Sequence, residues 1–387
     1  MKPRLLIFIN TLQIGGSERV VSLLLQNLYK DFEIHLAMYT NIIEYSIPPE
    51  IKILDLKQVL IESKLKLFLK APLIAKKISE YCKKNNIHTS VAFLYRPCYI
   101  NSLMKTRFGY KGFVIMCERT HQSAILQGYN WFLRFMTRII IKYAYQNADL
   151  VLTNSYVMQS DLVKNLKIKT PTRVIYNPID IEYILIQSKE VPSYIFESGI
   201  FYFITVGGFR KEKNHLLLIQ AFFILRKLPC KLIIVGGGIE EEVCKQKVKD
   251  LDITESVIFC GFDINPLKYV SRSDCFVLSS DVEGFPNVLL EALACGKPII
   301  STDCTSGPRE LLAPDSDIHS QAINHYEIGE YGILTPINDI TTLAAAMKRM
   351  YEDEQLRNTY TTRAPARAAE FHVNEIKQYF QLAFSGR

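Results

Sequence analysis

No Cys-x-x-Cys pair occurs among the nine cysteines, Cys82, Cys98, Cys117, Cys230, Cys244, Cys260, Cys275, Cys295 and Cys304. Their number is odd, their spacing is irregular, and most stand inside apolar runs. That pattern predicts reduced, buried thiols in a cytosolic chain and argues against a disulfide framework. The seven histidines do not gather around them, so no structural zinc is expected. No apolar run reaches the roughly 18 residues of a membrane span. The start, "MKPRLLIFINTLQIGG", has an apolar core of only Leu5 to Ile9. A signal-peptide core needs roughly 7–15 residues, so this reads as a first buried strand. Short repeats and low-complexity tracts are also missing. No G-x-G-x-x-G opens a helix at the right register, which counts against a nicotinamide dehydrogenase or epimerase.

What is present is an ordinary globular composition, 48% hydrophobic and 22% charged over 387 residues. At roughly 100–200 residues per domain, two domains are expected. The net charge of +7 suits an anionic substrate or membrane surface without demanding either. The basic residues lack interleaved aromatics on one element, so no nucleic acid is expected as a partner.

Strand-length apolar runs alternate with helical patterns. In the first half they are Leu5–Ile9, Ile34–Met38, Ser90–Phe93, Phe113–Met116, Leu150–Thr153 and Thr172–Ile175. In the second they are Tyr202–Val206, Lys231–Val235, Val257–Cys260, Cys275–Leu278 and Pro298–Ser301. Several are continuously apolar, as strands buried on both faces must be. Helices are predicted between them, for example over Ser17–Leu28, His215–Leu225 and Asn287–Ala294. This alternation predicts an α/β chain of two doubly wound, Rossmann-like domains. The first is expected over residues 1–182 and the second over 198–368. Tyr176–Ile200, with two prolines and mixed polarity, marks the boundary. A last helix is expected over Glu370–Phe384.

Three glycine loops follow predicted strands: "INTLQIGGSERVV", "VGGFRKEKNH" and "IIVGGGIEEE". A glycine turn lets backbone approach an anion, and a helix N-terminus behind it offers free N–H groups. Each alone is explained as well by a tight turn. Arg210, Lys211 and Lys213 flank the second loop and could hold a diphosphate, or form a solvated basic loop. In "EGFPNVLLEALACGK", Glu283 precedes a predicted helix with Pro286 in its first turn, and Gly296 is its stop signal. Glu291 lies a little over one turn inside. Two carboxylates at a crevice suit vicinal diols. Taken alone, the pair is explained as well by a turn Glu283 and a surface Glu291.

The longer segment "EGFPNVLLEALACGKPIISTDCTSGPREL" resembles glycosyltransferase family 4, the retaining nucleotide-sugar transferases of the GT-B fold. "GGSERVV", "VGGFRKEKNHLLLIQAF", "LIIVGGGIEEE", "VIFCGFDINPLKYVSRSDCFVLSS" and "YGILTPINDITTLAAAM" follow in the family's order, so the resemblance covers nearly the whole chain. It implies two domains facing a cleft, with the C-terminal helix, about residues 370–387, crossing back to the first. It implies that Glu283 contacts the transferred sugar, Glu291 the ribose and Lys213 the diphosphate. Gly284, Phe285, Pro286, Asn287 and Val288 would shape the donor site, with Gly208 and Gly237 in the glycine loops and Gly16 from the first domain. The family usually has a phosphate arginine where this chain has Gly208; Arg210 is the candidate replacement. His121 is the candidate first-domain histidine for the sugar, with Glu118 and Arg119 on the acceptor side. Ser306, Gly307 and Arg309 are expected across the cleft, Arg309 being equally explained as an ion pair with Glu310.

The resemblance implies a hexose or N-acetylhexosamine moved from a nucleotide sugar, UDP foremost, to a glycan or lipid-linked acceptor. No cofactor is expected, and no metal is required by the motif set, because its cations already neutralise the diphosphate. A non-catalytic sugar-nucleotide-binding subunit is the rival reading, left open by Gly208. Eight lysines from Lys57 to Lys84, and Arg134, Arg138 and Lys142 in "WFLRFMTRIIIKY", suit contact with an anionic membrane or a solvated face, and the resemblance favours the membrane. The expected location is therefore cytoplasmic, at the inner face of the cell membrane.

Overall fold

The computed structural model describes residues 2–58 and 64–386. The chain divides into two units, Met1–Pro178 with Val373–Arg387, and Ile179–His372. In the first unit the strands are β1 (Arg4–Ile9), β2 (Glu33–Met38), β3 (Lys52–Asp55), β4 (Thr89–Phe93), β5 (Phe113–Glu118), β6 (Leu150–Thr153) and β7 (Thr172–Val174). They form a parallel sheet in the order β3-β2-β1-β4-β5-β6-β7. The continuous apolar runs are explained by its two covered faces. Along β1, Leu6 and Phe8 join one core while Leu5, Ile7 and Ile9 join the other. Successive side chains on a strand point to opposite faces, so both must be apolar.

The second unit repeats the plan with β8 (Phe201–Val206), β9 (Cys230–Val235), β10 (Val257–Gly261), β11 (Cys275–Leu278), β12 (Ile299–Thr302), β13 (Glu327–Ile328) and β14 (Ile333–Thr335). The order is β10-β9-β8-β11-β12-β14-β13, parallel except for the β13–β14 hairpin. In each sheet the winding reverses once, between β1 and β4 and between β8 and β11. Ligands of doubly wound sheets bind at the carboxyl ends of strands at that reversal.

The division falls between Pro178 and Ile179, inside the segment Tyr176–Ile200. Residues 179–197 belong to the second unit. Asp180 caps the helix Ile181–Gln187, whose Ile184 is buried. The carbonyls of Gln187 and Ser188 accept Asn265 Nδ2 and Ser271 Oγ at 2.9 and 2.8 Å. The last helix runs Val373–Phe384 and belongs to the first unit, where Ile376, Phe380, Ala383 and Phe384 enter a core with Leu24, Leu28 and Phe32. All nine cysteines are free, seven of them buried and Cys260 and Cys295 half-buried.

Candidate active site

The switch point of the second unit joins the loops after β8 and β11. Asp281 N–H donates to the Glu212 carbonyl at 2.8 Å, and Ser279 Oγ donates to the Lys213 carbonyl at 3.0 Å. Asn214, left-handed at φ 46°, accepts from Leu217 N–H and so caps the helix His215–Ile224. Its Nδ2 donates to Asp281 Oδ1 at 2.9 Å and to Asn338 Oδ1 at 2.8 Å. Across this stitched pair of loops Lys213 Nζ donates to Glu283 Oε1 at 2.6 Å. Ser280 Oγ donates to the same oxygen at 2.6 Å. Lys213 and Glu283 are therefore brought together. Asn214, Ser280 and Asp281, which build the junction, were missed by the motif reading. Asn214 alone had a signal, an N-cap residue immediately before a helical pattern.

The glycine loops have divided roles. A Cβ on Gly236 would lie 2.0 Å from the Gly207 carbonyl oxygen, and one on Gly238 would lie 2.6 Å from that of Phe209. These two glycines let the loops after β8 and β9 touch. Gly208 and Gly237 are different: an added Cβ would meet nothing closer than 3.5 and 3.7 Å. Arg210 is exposed, and its guanidinium folds over Gly208, with Nε 3.5 Å from that Cβ position. His215 is buried against Phe209, ring centres 4.6 Å apart, and burial pushes its imidazole down to about 4.

The helix Asn287–Ala294 forms as expected, with Pro286 one place earlier, as the N-cap. Its end is a Schellman turn: Lys297 N–H reaches the Ala292 carbonyl and Gly296 N–H that of Leu293, with Gly296 at φ +66°. Phe285 and Pro286 are buried, whereas Gly284, Asn287, Val288 and Glu291 are half-buried. Burial first, then the nearby Glu291 charge, pushes the Cys295 thiol up to about 12. Ser306 Oγ donates to the Gly284 carbonyl at 2.7 Å, and Gly307, at φ +92°, packs so close that a Cβ would lie 2.6 Å from Pro286 Cδ. Arg309 is an ion-pair residue, but with Asp303 and Glu327 and not Glu310. Its Nη1 also donates to Ser316 Oγ at 3.1 Å. Every arm of the guanidinium is thus engaged within the second unit, as in the ion-pair alternative.

In the first unit, Gly16 is the first residue of the helix Gly16–Leu28. The acceptor-side expectation needs correcting at two residues. Glu118 ends β5 and is buried, taking Arg119 N–H, Thr120 N–H, Gln122 Nε2 and Tyr145 OH at 2.8, 2.9, 2.7 and 2.5 Å. Burial raises its carboxyl above the usual range. Four donors saturate a carboxylate, so Glu118 braces the loop after β5. Arg119 is also buried, donating to Asn177 Oδ1 at 2.6 Å and lying over the Phe93 ring. His121 caps the helix Gln122–Gln127 by accepting Ala124 N–H at Nδ1. Burial lowers its imidazole, with Asp161 opposing. A neutral ring that accepts at Nδ1 carries its proton on Nε2.

Among the described residues no cluster of three or more His, Cys, Asp or Glu could hold a metal. No described helix is long and apolar enough to cross a membrane.

Comparison with known proteins gives the family and the fold. A model of Glycosyltransferase Family 4 covers residues 14–183, and one of Glycosyl transferases group 1 covers residues 188–367. The chain is 36% identical over 372 residues to the N-acetylgalactosamine-N,N'-diacetylbacillosaminyl-diphospho-undecaprenol 4-alpha-N-acetylgalactosaminyltransferase of Campylobacter jejuni, covering 96% of each protein. Sucrose-phosphate synthase from Thermosynechococcus elongatus shares the fold at TM-score 0.81 and 18% identity over the whole of both chains. Anabaena HepE, solved with UDP and glucose, does so at TM-score 0.76 and 20% identity, again over the whole of both.

Proposed function

The chain belongs to the family 4 glycosyltransferases, and from that premise we propose that it transfers an N-acetylhexosamine from a UDP-sugar to a glycan or lipid-linked acceptor with retention. The observation that carries the site is the Lys213–Glu283 pair at the β8–β11 switch point. The N-acetylgalactosaminyl relative and the UDP-bound structural neighbour support the choice of sugar and nucleotide.

In this reading the bond between the anomeric carbon and the diphosphate oxygen breaks. The acceptor hydroxyl bonds to the same face, and its proton passes to the leaving diphosphate. Lys213 and Arg210 neutralise that leaving group, a preorganised charge being worth more than one recruited during reaction. Arg210, folded over Gly208, supplies the guanidinium the family carries two residues earlier, at the place of Gly208. Gly208 and Gly237 let backbone approach the phosphates. Glu283 takes sugar hydroxyls and Glu291 the ribose diol, while Gly284 to Val288 shape the turn around the donor. These cations balance the diphosphate without a metal, so activity in excess chelator should equal that without it.

Thermal shift with UDP-, GDP- and ADP-sugars tests the donor. At 100 times its dissociation constant the right one stabilises the fold by about 2.7 kcal/mol; stabilisation by GDP- or ADP-sugars alone would reject UDP. Lys213→Ala, Glu283→Ala and Glu291→Ala should each lose most activity, and near-normal turnover by all three would reject the site.

Membrane contact is part of the proposal, with a changed basis. Arg134 donates to the Leu126, Gln127 and Tyr129 carbonyls and Arg138 to that of Asn165. Those two cations serve the fold. The helix Trp131–Gln146 instead exposes Trp131, Phe132, Leu133, Phe135, Met136 and Ile139. Aromatic residues in such number on one surface helix suit the lipid interface. Part of the lysine-rich stretch, residues 59–63, lies outside the described residues; beyond it, Leu69 and Leu73 are exposed one turn apart. Flotation with phosphatidylglycerol vesicles should carry the protein upward, and Phe132→Ser with Phe135→Ser should abolish this at unchanged stability. Wild-type protein left at the bottom at low salt would end this part.

A further inference from the structure

Glu283 is held on one side only. Both hydrogen bonds it accepts, from Lys213 Nζ and Ser280 Oγ, fall on Oε1 at 2.6 Å each. A carboxylate has lone pairs for about four donors, and among the described residues none is directed to Oε2. The two donors differ in kind. Lys213 carries a compact charge on a long flexible stem, and its side chain is 24% exposed. Ser280 is fully buried. Its carbonyl accepts Thr302 Oγ1 at 2.6 Å, and Thr302, also fully buried, is the last residue of β12. The Ser280 backbone, which carries that hydroxyl, is thus anchored to the end of β12.

A bound diphosphate claims the Lys213 ammonium. Nothing in the donor makes the same demand on Ser280. We propose that Ser280 is a positioning residue for sugar transfer. Its hydroxyl keeps Glu283 Oε1 in place when Lys213 turns to the diphosphate, so that Oε2 stays aimed at the sugar hydroxyls. Thr302 is the second link, acting through the Ser280 backbone. This rests on the reading above, in which Glu283 holds the sugar and Lys213 the diphosphate.

The test is a double-mutant cycle on turnover by slow hydrolysis of UDP-N-acetylgalactosamine, with UDP affinity measured alongside. A hydrogen bond to a charged group corresponds to about 10–100-fold in rate. Ser280→Ala should lower kcat by about that factor and leave UDP affinity within about twofold. In a Glu283→Ala background it should add less than about twofold, because the two residues act as one unit. Thr302→Val should repeat the pattern at smaller amplitude, and it decides alone if Ser280→Ala does not fold. Wild-type turnover by Ser280→Ala overturns the inference. So does a loss carried in full into the Glu283→Ala background, or UDP affinity falling in step with kcat. In those cases an impaired Glu283→Ala leaves the donor reading standing. Wild-type turnover by Glu283→Ala rejects that reading and this inference with it.

Discussion

Glu118 and Glu283 are both carboxylates at the carboxyl edge of a parallel sheet, and their partners separate their tasks. Glu118 accepts four hydrogen bonds and is buried. Among the described residues, none donates to the second oxygen of Glu283. Motif order pointed to both, but the donors around each differ, and the far ones, Tyr145 on Glu118 and Lys213 on Glu283, are not legible from local sequence. His215 has a titration consequence of its own. Its imidazole is pushed down to about 4, first by burial and then by the Lys213 charge. The unfolded chain takes up a proton near pH 6.5 and the folded chain only near 4. Between those values the unfolded state binds more protons, so stability rises with pH across the window. The stabilising contribution is complete above about pH 6.5 and lost as pH falls toward 4, amounting to at most roughly 3 kcal/mol. Melting temperatures at pH 5 and pH 7 should therefore differ, and His215→Gln should narrow the difference. An unchanged gap would show that this ring does not titrate as its burial requires.

At the scale of elements, legibility followed burial on two faces. Strands such as β1, β5 and β9 announce themselves as apolar runs because both sides are covered. β3 was not read: it is an edge strand of four residues, none of them buried. β13 and β14, of two and three residues, are too short for any periodicity. The helix Asn287–Ala294 was legible because proline and glycine punctuate it. The glycine loops show what sequence could not supply. All three glycines from Gly236 to Gly238 look alike on paper, yet only the middle one is free of a packing demand. Gly236→Ala would drive a Cβ to 2.0 Å from the Gly207 carbonyl and force the two loops apart. Gly237→Ala meets nothing within 3.7 Å. Urea denaturation should show Gly236→Ala losing more than about 2 kcal/mol, and Gly237→Ala within about 0.5 kcal/mol of wild type. If backbone at Gly237 approaches the donor phosphates, Gly237→Ala should nevertheless weaken UDP-sugar binding. Full affinity would remove Gly237 from the donor site and leave its neighbours as packing glycines.

On the scale of the whole molecule, the chain returns to its first unit after completing the second. The sequence carries that return only faintly. The segment after Ala369 is an amphipathic helix, and nothing in its own pattern says which core its apolar stripe enters. The resemblance supplied the destination, and the structure shows the contacts. Ile376, Phe380, Ala383 and Phe384 recur at helical spacing and are buried with Phe32, Leu24 and Leu28. Phe384 meets Phe32 edge-on with ring centres 6.5 Å apart, and Gln381 Nε2 donates to Asp31 Oδ2 at 2.8 Å. Burying an aromatic side chain of this kind contributes about 1.5–3 kcal/mol, and removing one leaves a cavity as well. Phe380→Ala should therefore cost about 3–5 kcal/mol, a large share of the 5–15 kcal/mol that holds a typical domain together. The loss should fall on the first unit, whereas the second unit keeps its own core around Phe203, Phe222 and Leu343. Hydrogen exchange read peptide by peptide separates the two. Phe380→Ala should deprotect β1, β2 and the helix Gly16–Leu28 while β8, β9 and β11 keep wild-type protection. Uniform deprotection of both units would mean that the chain unfolds as a single cooperative body, and the last helix would then stabilise the whole and not one unit.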